Sequence, residues 1–279
     1  MPGREVKISD VSLSIFDVKK IFQRLENIVH DDGQKEIAKL SKAGDLTDQQ
    51  WEDRKLEIMK GAFRVTVTIY GDEGSRLNGD DDKLFESPNI PNKIAAVYLT
   101  NATAFRWWTN NNPARSFELY LDFSKPKLLD SERIVSSPTP NLSNLKIEAD
   151  NELWVAGVSE AVFGVLANKK TQYGLLHRAF SYDFGMLILG LPFGLYMAWK
   201  LSGFVQSKLG IIHDVLSATA YIYIVVAALW LYRLLFGYTK WAFPTVELKE
   251  NSSASGKHRV FWYTILVGLL VNFIFEFSK

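Results

Sequence analysis

The chain has no cysteine among its 279 residues. That excludes disulfides, thiolate metal sites and cysteine nucleophiles, and it fits a reducing compartment. Histidine is nearly as scarce: His30, His177, His213 and His258 stand in unrelated segments, and none is spaced i, i+4 from another to grip a metal. Neither charge sign is in excess, with 32 Lys+Arg against 31 Asp+Glu. A nucleic-acid partner, which needs a strongly basic domain or stripe, is therefore not expected. The opening MPGREVKISDVSLS lacks the apolar run of a secretory signal, so residues 1–182 are expected to stay in the cytoplasm. In that setting the triplets at Asn101, Asn141 and Asn251 are chance matches to the glycosylation pattern.

What the chain does have is three uncharged apolar stretches close to its end, 184–199, 215–232 and 260–275. About 20 residues cross the hydrocarbon core. Aromatic residues at or near the ends of the stretches (Tyr182, Trp199, Tyr232, Trp241, Trp262, Tyr263) extend them to the interfaces. The reading is three membrane spans, at about 182–201, 212–234 and 259–277. Charge divides with them: residues 1–182 hold 24 Lys+Arg and 26 Asp+Glu, and residues 183–279 hold 8 and 5. The segment before the first span and the loop between the second and third carry eight Lys and Arg; the other loop and the tail carry three. The positive-inside rule then places the N-terminus inside and the C-terminus outside a plasma (inner) membrane.

The first 170 residues read as one α+β domain. Val18, Ile21, Phe22, Leu25, Ile28 and Val29 recur at helical spacing behind a Ser14/Asp17 capping pair, with a polar break at Asp31 to Gly33. A second helical region, interrupted near Gly44 and capped at Thr47 and Gln50, runs to about Lys60. Alternation then predicts strands at 63–70, 94–108, 117–123 and 145–149, the middle pair forming a hairpin across the Asn110 to Pro113 turn. A helix from about Asp150, with Trp154, Val158, Ala161, Val162 and Val165 on one face, covers the sheet. The expected fold is thus two helices, an antiparallel sheet of about four strands and a packing helix over 1–170, a connecting segment over 171–183, and a membrane domain over 184–279.

Catalysis has no visible constellation, and no cofactor is called for. Gly157 to Ala161 resembles a nucleophile elbow but lacks its last glycine and lies in a helix. Gly256-Lys257 lacks the upstream glycine of a phosphate loop. Asp72, Glu73 and Asp80 to Asp82 are read as solvated turns, since they lack the ordered spacing of a calcium loop. Four residues of the domain, Arg106, Trp107, Trp108 and Arg115, look like a partner or ligand surface, because aromatics and arginine concentrate at binding hot spots. In the spans, Gly190, Pro192 and Gly194 combine a close-approach spacing with a kink, and Asn272 is placed to bond a neighbouring helix. His213, Asp214, Arg233 and Glu276 are polar groups at membrane interfaces.

The expectation is a non-enzymatic membrane protein whose cytoplasmic domain binds a small molecule or a protein partner and whose spans anchor it in lipid and self-associate or meet a membrane partner. The alternatives are a membrane-disrupting or pore-forming effector gated by the domain, as in toxins and antiviral defence, and an enzyme with an unrecognised site.

Overall fold

The structure, a computed structural model, describes residues 3–42, 44–128, 139–210, 214–251 and 253–277. The chain divides into two units. One comprises residues 1–124, 141–171 and 246–253; the other comprises 125–140, 172–245 and 254–279.

The first unit is the α+β one. Its sheet has six antiparallel strands in the order β1-β7-β6-β5-β3-β4, where β1 is Gly3–Lys7, β3 Thr66–Gly71, β4 Arg76–Gly79, β5 Ile94–Thr100, β6 Ser116–Asp122 and β7 Asn144–Glu148. Alternation decides which side is covered: Val67 and Ile69, Val97 and Leu99, Phe117, Leu119 and Leu121, and Leu145 and Ile147 all enter the core. Helix α1 (Ile15–Ala38) brings Val18, Ile21, Phe22, Leu25 and Val29 to that core, and α4 (Glu152–Leu166) brings Trp154, Val158 and Val162. Leu119 has no exposed surface. Leu119→Ala should therefore cost about 2–5 kcal/mol, read as a lower denaturant midpoint at unchanged slope.

Two more strands, β2 (Val11–Leu13) and β8 (Val246–Leu248), form a separate parallel pair. The four expected strands are therefore part of a larger set. The additional strands are short or polar: GREVK on the outer edge, RLNG beyond β3, and two three-residue strands that carry too few positions to show a period. At the β3–β4 turn the chain needs a positive φ, and Gly74 supplies it at 81°.

Both capping boxes form, Ser14 with Asp17 and Thr47 with Gln50, the latter opening α2 (Asp48–Ala62). Burial alone would raise the Asp17 pKa. The Ser14 N–H and hydroxyl, both at 2.8 Å, and Lys169 at 2.9 Å overcome it and hold the carboxyl below its ordinary value. The expected break at Asp31 to Gly33 is absent. Gly33 is buried inside a continuous α1, because its missing side chain makes room for another residue's ring. The expected strand 94–108 is likewise corrected: it stops at Thr100, and Ala102–Thr109 is a helix, α3, ended by Asn110 in the left-handed region at φ 55°. The Thr100 hydroxyl accepts from the Ala102 N–H at 3.1 Å and turns the chain out of the sheet. Strands β5 and β6 pair as expected, but across a helix and not a tight turn.

The second unit is helical. Among the described residues two helices are long and apolar enough to cross a membrane, α5 (Ala179–Lys200) and α6 (Asp214–Ala242). Three spans were expected. The third expected span coincides with α7 (Ser253–Phe277), several of whose side chains lie outside the described residues. In α5 a π-turn over Met186–Gly190 precedes Pro192, whose ring and missing N–H disturb the helical ladder there.

Candidate functional site

The α+β unit holds a cavity of about 430 Å³ bounded by α1, α2, α3 and the residues leading into β6. Its walls are apolar: Ile37 from α1 and Leu40 just beyond its end, Ile58 and Ala62 from α2, and Phe105 and Trp108 from α3. Phe63, the residue after α2, meets Phe105 edge to face at 5.6 Å. Glycines set the helix separations. A Cβ on Gly33 would lie 2.5 Å from Phe63, and one on Gly61 would lie 1.9 Å from the Trp108 ring, so the indole rests against bare backbone.

Polar groups gather on Arg115. The Arg115 Nε donates to Asp150 Oδ1 at 2.7 Å, and its Nη1 donates to Asp32 and approaches Glu36 Oε1 at 3.3 Å. The Asp150 and Asp32 carboxylates hold the Arg115 pKa above its ordinary value in spite of burial, and Arg115 in turn lowers that of Asp150. Asn101 ties the site's edges together: its amide donates to Arg115 O at 2.9 Å, and its oxygen accepts from the Phe117 N–H at 3.0 Å. Arg54, on the α2 side, pairs with Glu57 at 2.8 Å.

Of the four residues singled out in the sequence, the structure brings Trp108 and Arg115 to the cavity. Trp107 is 89% exposed, and the Arg106 Nε donates to Asn112 Oδ1 at 2.7 Å. On a helix, neighbours diverge by about 100°, so adjacent residues cannot share a face. The acidic and apolar lining from α1 and α2 was not singled out. Its signal was Asp32 and Glu36 at i, i+4 on the helix that also carries Ile37.

The acidic run is dispersed into pairs. Asp80 meets Arg64; Asp82 meets Gln23 at 2.8 Å and Lys19 at 3.3 Å; Asp81 accepts from the Lys83 N–H at 3.0 Å. Among the described residues no group of three or more His, Asp or Glu is placed to hold a metal.

In the helical unit, Gly190 and Gly194 face α6 of the same chain. A Cβ on Gly190 would sit 3.1 Å from Tyr232, and one on Gly194 would sit 3.4 Å from the Ala228 Cβ. Pro192 lies between them in the same helix. Arg233 is buried in α6 with its guanidinium over the Tyr182 ring at 5.9 Å, and Asp214 opens that helix, exposed. His213 lies outside the described residues, as do the side chains of Asn272 and Glu276.

The feature with least warning in the sequence is the return of the chain to the α+β unit after α6. Val246, Glu247 and Leu248 pair in parallel with Val11, Ser12 and Leu13, and all three are buried. The Glu250 carboxylate accepts from the Ile15 N–H at 3.0 Å, at the first turn of α1. Asn251 caps β5 at both backbone atoms, donating to Ile94 O at 2.6 Å and accepting from Ile94 N at 3.2 Å. No protein-family model, curated protein or solved structure matches the chain.

Proposed function

We propose that the chain is a non-enzymatic, three-span membrane protein with a cytoplasmic α+β domain that binds a ligand in the cavity among α1, α2 and α3 and transmits binding to the spans. The observation that carries this reading is β8. A strand paired with β2 and joined directly to α6 and α7 supports an even number of crossings between the domain and residue 246. Helices α5 and α6 then form a hairpin that leaves the domain's side and returns to it. Helix α7 departs again; its 25 residues reach about 37 Å at about 1.5 Å per residue, longer than the hydrocarbon core. The Lys and Arg excess before the first expected span and between the second and third supports a cytoplasmic domain. The cavity's size and its apolar walls with a few polar groups match those of small-molecule sites.

The absence of cysteine makes the topology testable with single substitutions. Lys249→Cys, exposed beside β8, should be shielded from an impermeant thiol reagent in intact cells, and Ser207→Cys, between α5 and α6, should react. Reaction at 249, or protection at both positions, would sink the proposed arrangement.

A further inference from the structure

We propose that the cavity among α1, α2 and α3 is a receptor for an organic cation, a protonated or quaternary amine carried on a flat apolar body. The inference rests on the reading of this cavity as a ligand site and names the chemistry of its occupant. Three observations point the same way.

First, the walls offer aromatic faces. Trp108 is 44% exposed, backed on one side by Gly61, and Phe63 and Phe105 stand edge to face beside it. Ring faces carry the negative lobe of the aromatic quadrupole and attract a cation within about 6 Å. Ile37, Leu40 and Ile58 provide the apolar floor on which the rest of such a molecule would lie.

Second, charge around the lining is unbalanced toward acid. Among the described residues, the lining and its ion-pair partners hold four carboxylates, Asp32, Glu36, Glu57 and Asp150, against three cations, Arg54, Arg115 and Lys39. One negative charge is left over. A cationic ligand neutralises it in a partly desolvated place, where such a charge counts for more than in water.

Third, the two arginines of the lining are committed elsewhere. Arg115 is turned onto Asp32, Asp150 and Glu36, and Arg54 onto Glu57. An anion would have to share these guanidinium groups with the carboxylates already on them and face the surplus carboxylate. Glu36 is the more exposed of the two lining carboxylates, 36% against 15% for Asp32, and its contacts with Lys39, at 2.7 Å, and Arg115, at 3.3 Å, both fall on Oε1.

The test uses full-length protein in nonionic micelles and three probes of nearly the same shape: 2-phenylethylammonium, 2-phenylethanol and phenylacetate. Binding is read by titration calorimetry, with empty micelles subtracted. The cation should bind about tenfold tighter than the alcohol, with phenylacetate weakest. Glu36→Gln should bring cation and alcohol together, and Trp108→Leu should weaken the cation more than the alcohol. If the alcohol binds wild type as tightly as the cation, or phenylacetate binds best, the cation assignment falls while the cavity stands as a ligand site. If none of the three saturates, both fall. The wild-type probe series decides the matter even if a variant does not fold.

Discussion

Leu248→Asp is expected to release β8 from the α+β unit at a cost of about 3–6 kcal/mol, among the largest effects of any single substitution in this chain. Leu248 is 1% exposed and Val246 2%, and both belong to the domain's core cluster. A carboxylate at 248 has no partner there, and leaving a charge buried alone costs more than exposing the strand. The strand therefore lifts away. What is lost is the burial of two branched side chains, each worth about 1.5–3 kcal/mol, together with the β2–β8 ladder. Hydrogen exchange should show 246–251 and the facing Val11–Leu13 unprotected, with the six-stranded sheet still protected. Unchanged protection at β2 would show that the pairing contributes nothing to the domain. The matching positive experiment uses a fragment. Residues 1–171 alone should unfold at a lower temperature than the same fragment extended by 246–253 through a Gly/Ser linker, by a margin that Leu248→Asp removes.

The second expected result is all or none. Gly194→Cys combined with Ala228→Cys should give an intrachain disulfide on mild oxidation, because a Cβ on residue 194 would stand 3.4 Å from that of residue 228. Disulfides require Cβ atoms about 3.5–4.5 Å apart, so a small relaxation makes the geometry suitable. With no other cysteine in the chain, no other intrachain disulfide can form. On a nonreducing gel the product should run as a monomer. A covalent dimer would assign this glycine face to contacts between copies and overturn its packing against α6. The distinction bears on how the proposed spans assemble: glycine faces permit the close helix approach that lipid-embedded packing depends on, and here α6 occupies that face.

Much of the α+β fold was legible because local and global signals agree there. Ser14 with Asp17 and Thr47 with Gln50 announced two helix starts, and the alternation in β3 and β6 matches the covered face of the sheet. Where they disagree the reading failed. Phe105, Trp107 and Trp108 favour strands by propensity, yet the Thr100 hydroxyl and the Asn101 amide bend the chain into a helix, a tertiary device with no period to betray it. Asp31 to Gly33 looks like a break because aspartate and glycine are poor helix formers, but Gly33 is needed where Phe63 presses against α1. The candidate site was half visible for the same reason. Trp108 and Arg115 drew attention as residue types, whereas Asp32, Glu36 and Ile58 acquire meaning only once α1 and α2 lie side by side. β8 was the hardest case. Three residues cannot display a repeat, and their partner is more than 230 positions away, with Ser12 meeting Glu247 across 235 residues.

That distance also sets a timetable. A ribosome finishes β2 almost at once and β8 only after both α5 and α6 have been made, so throughout that interval the growing chain carries an unpaired β2 edge. Open strand edges recruit other strands, and long-range pairings close late. The domain is thus completed by a segment that emerges only after the helical hairpin, and a nascent chain stalled within α6 lacks the piece that closes its own fold.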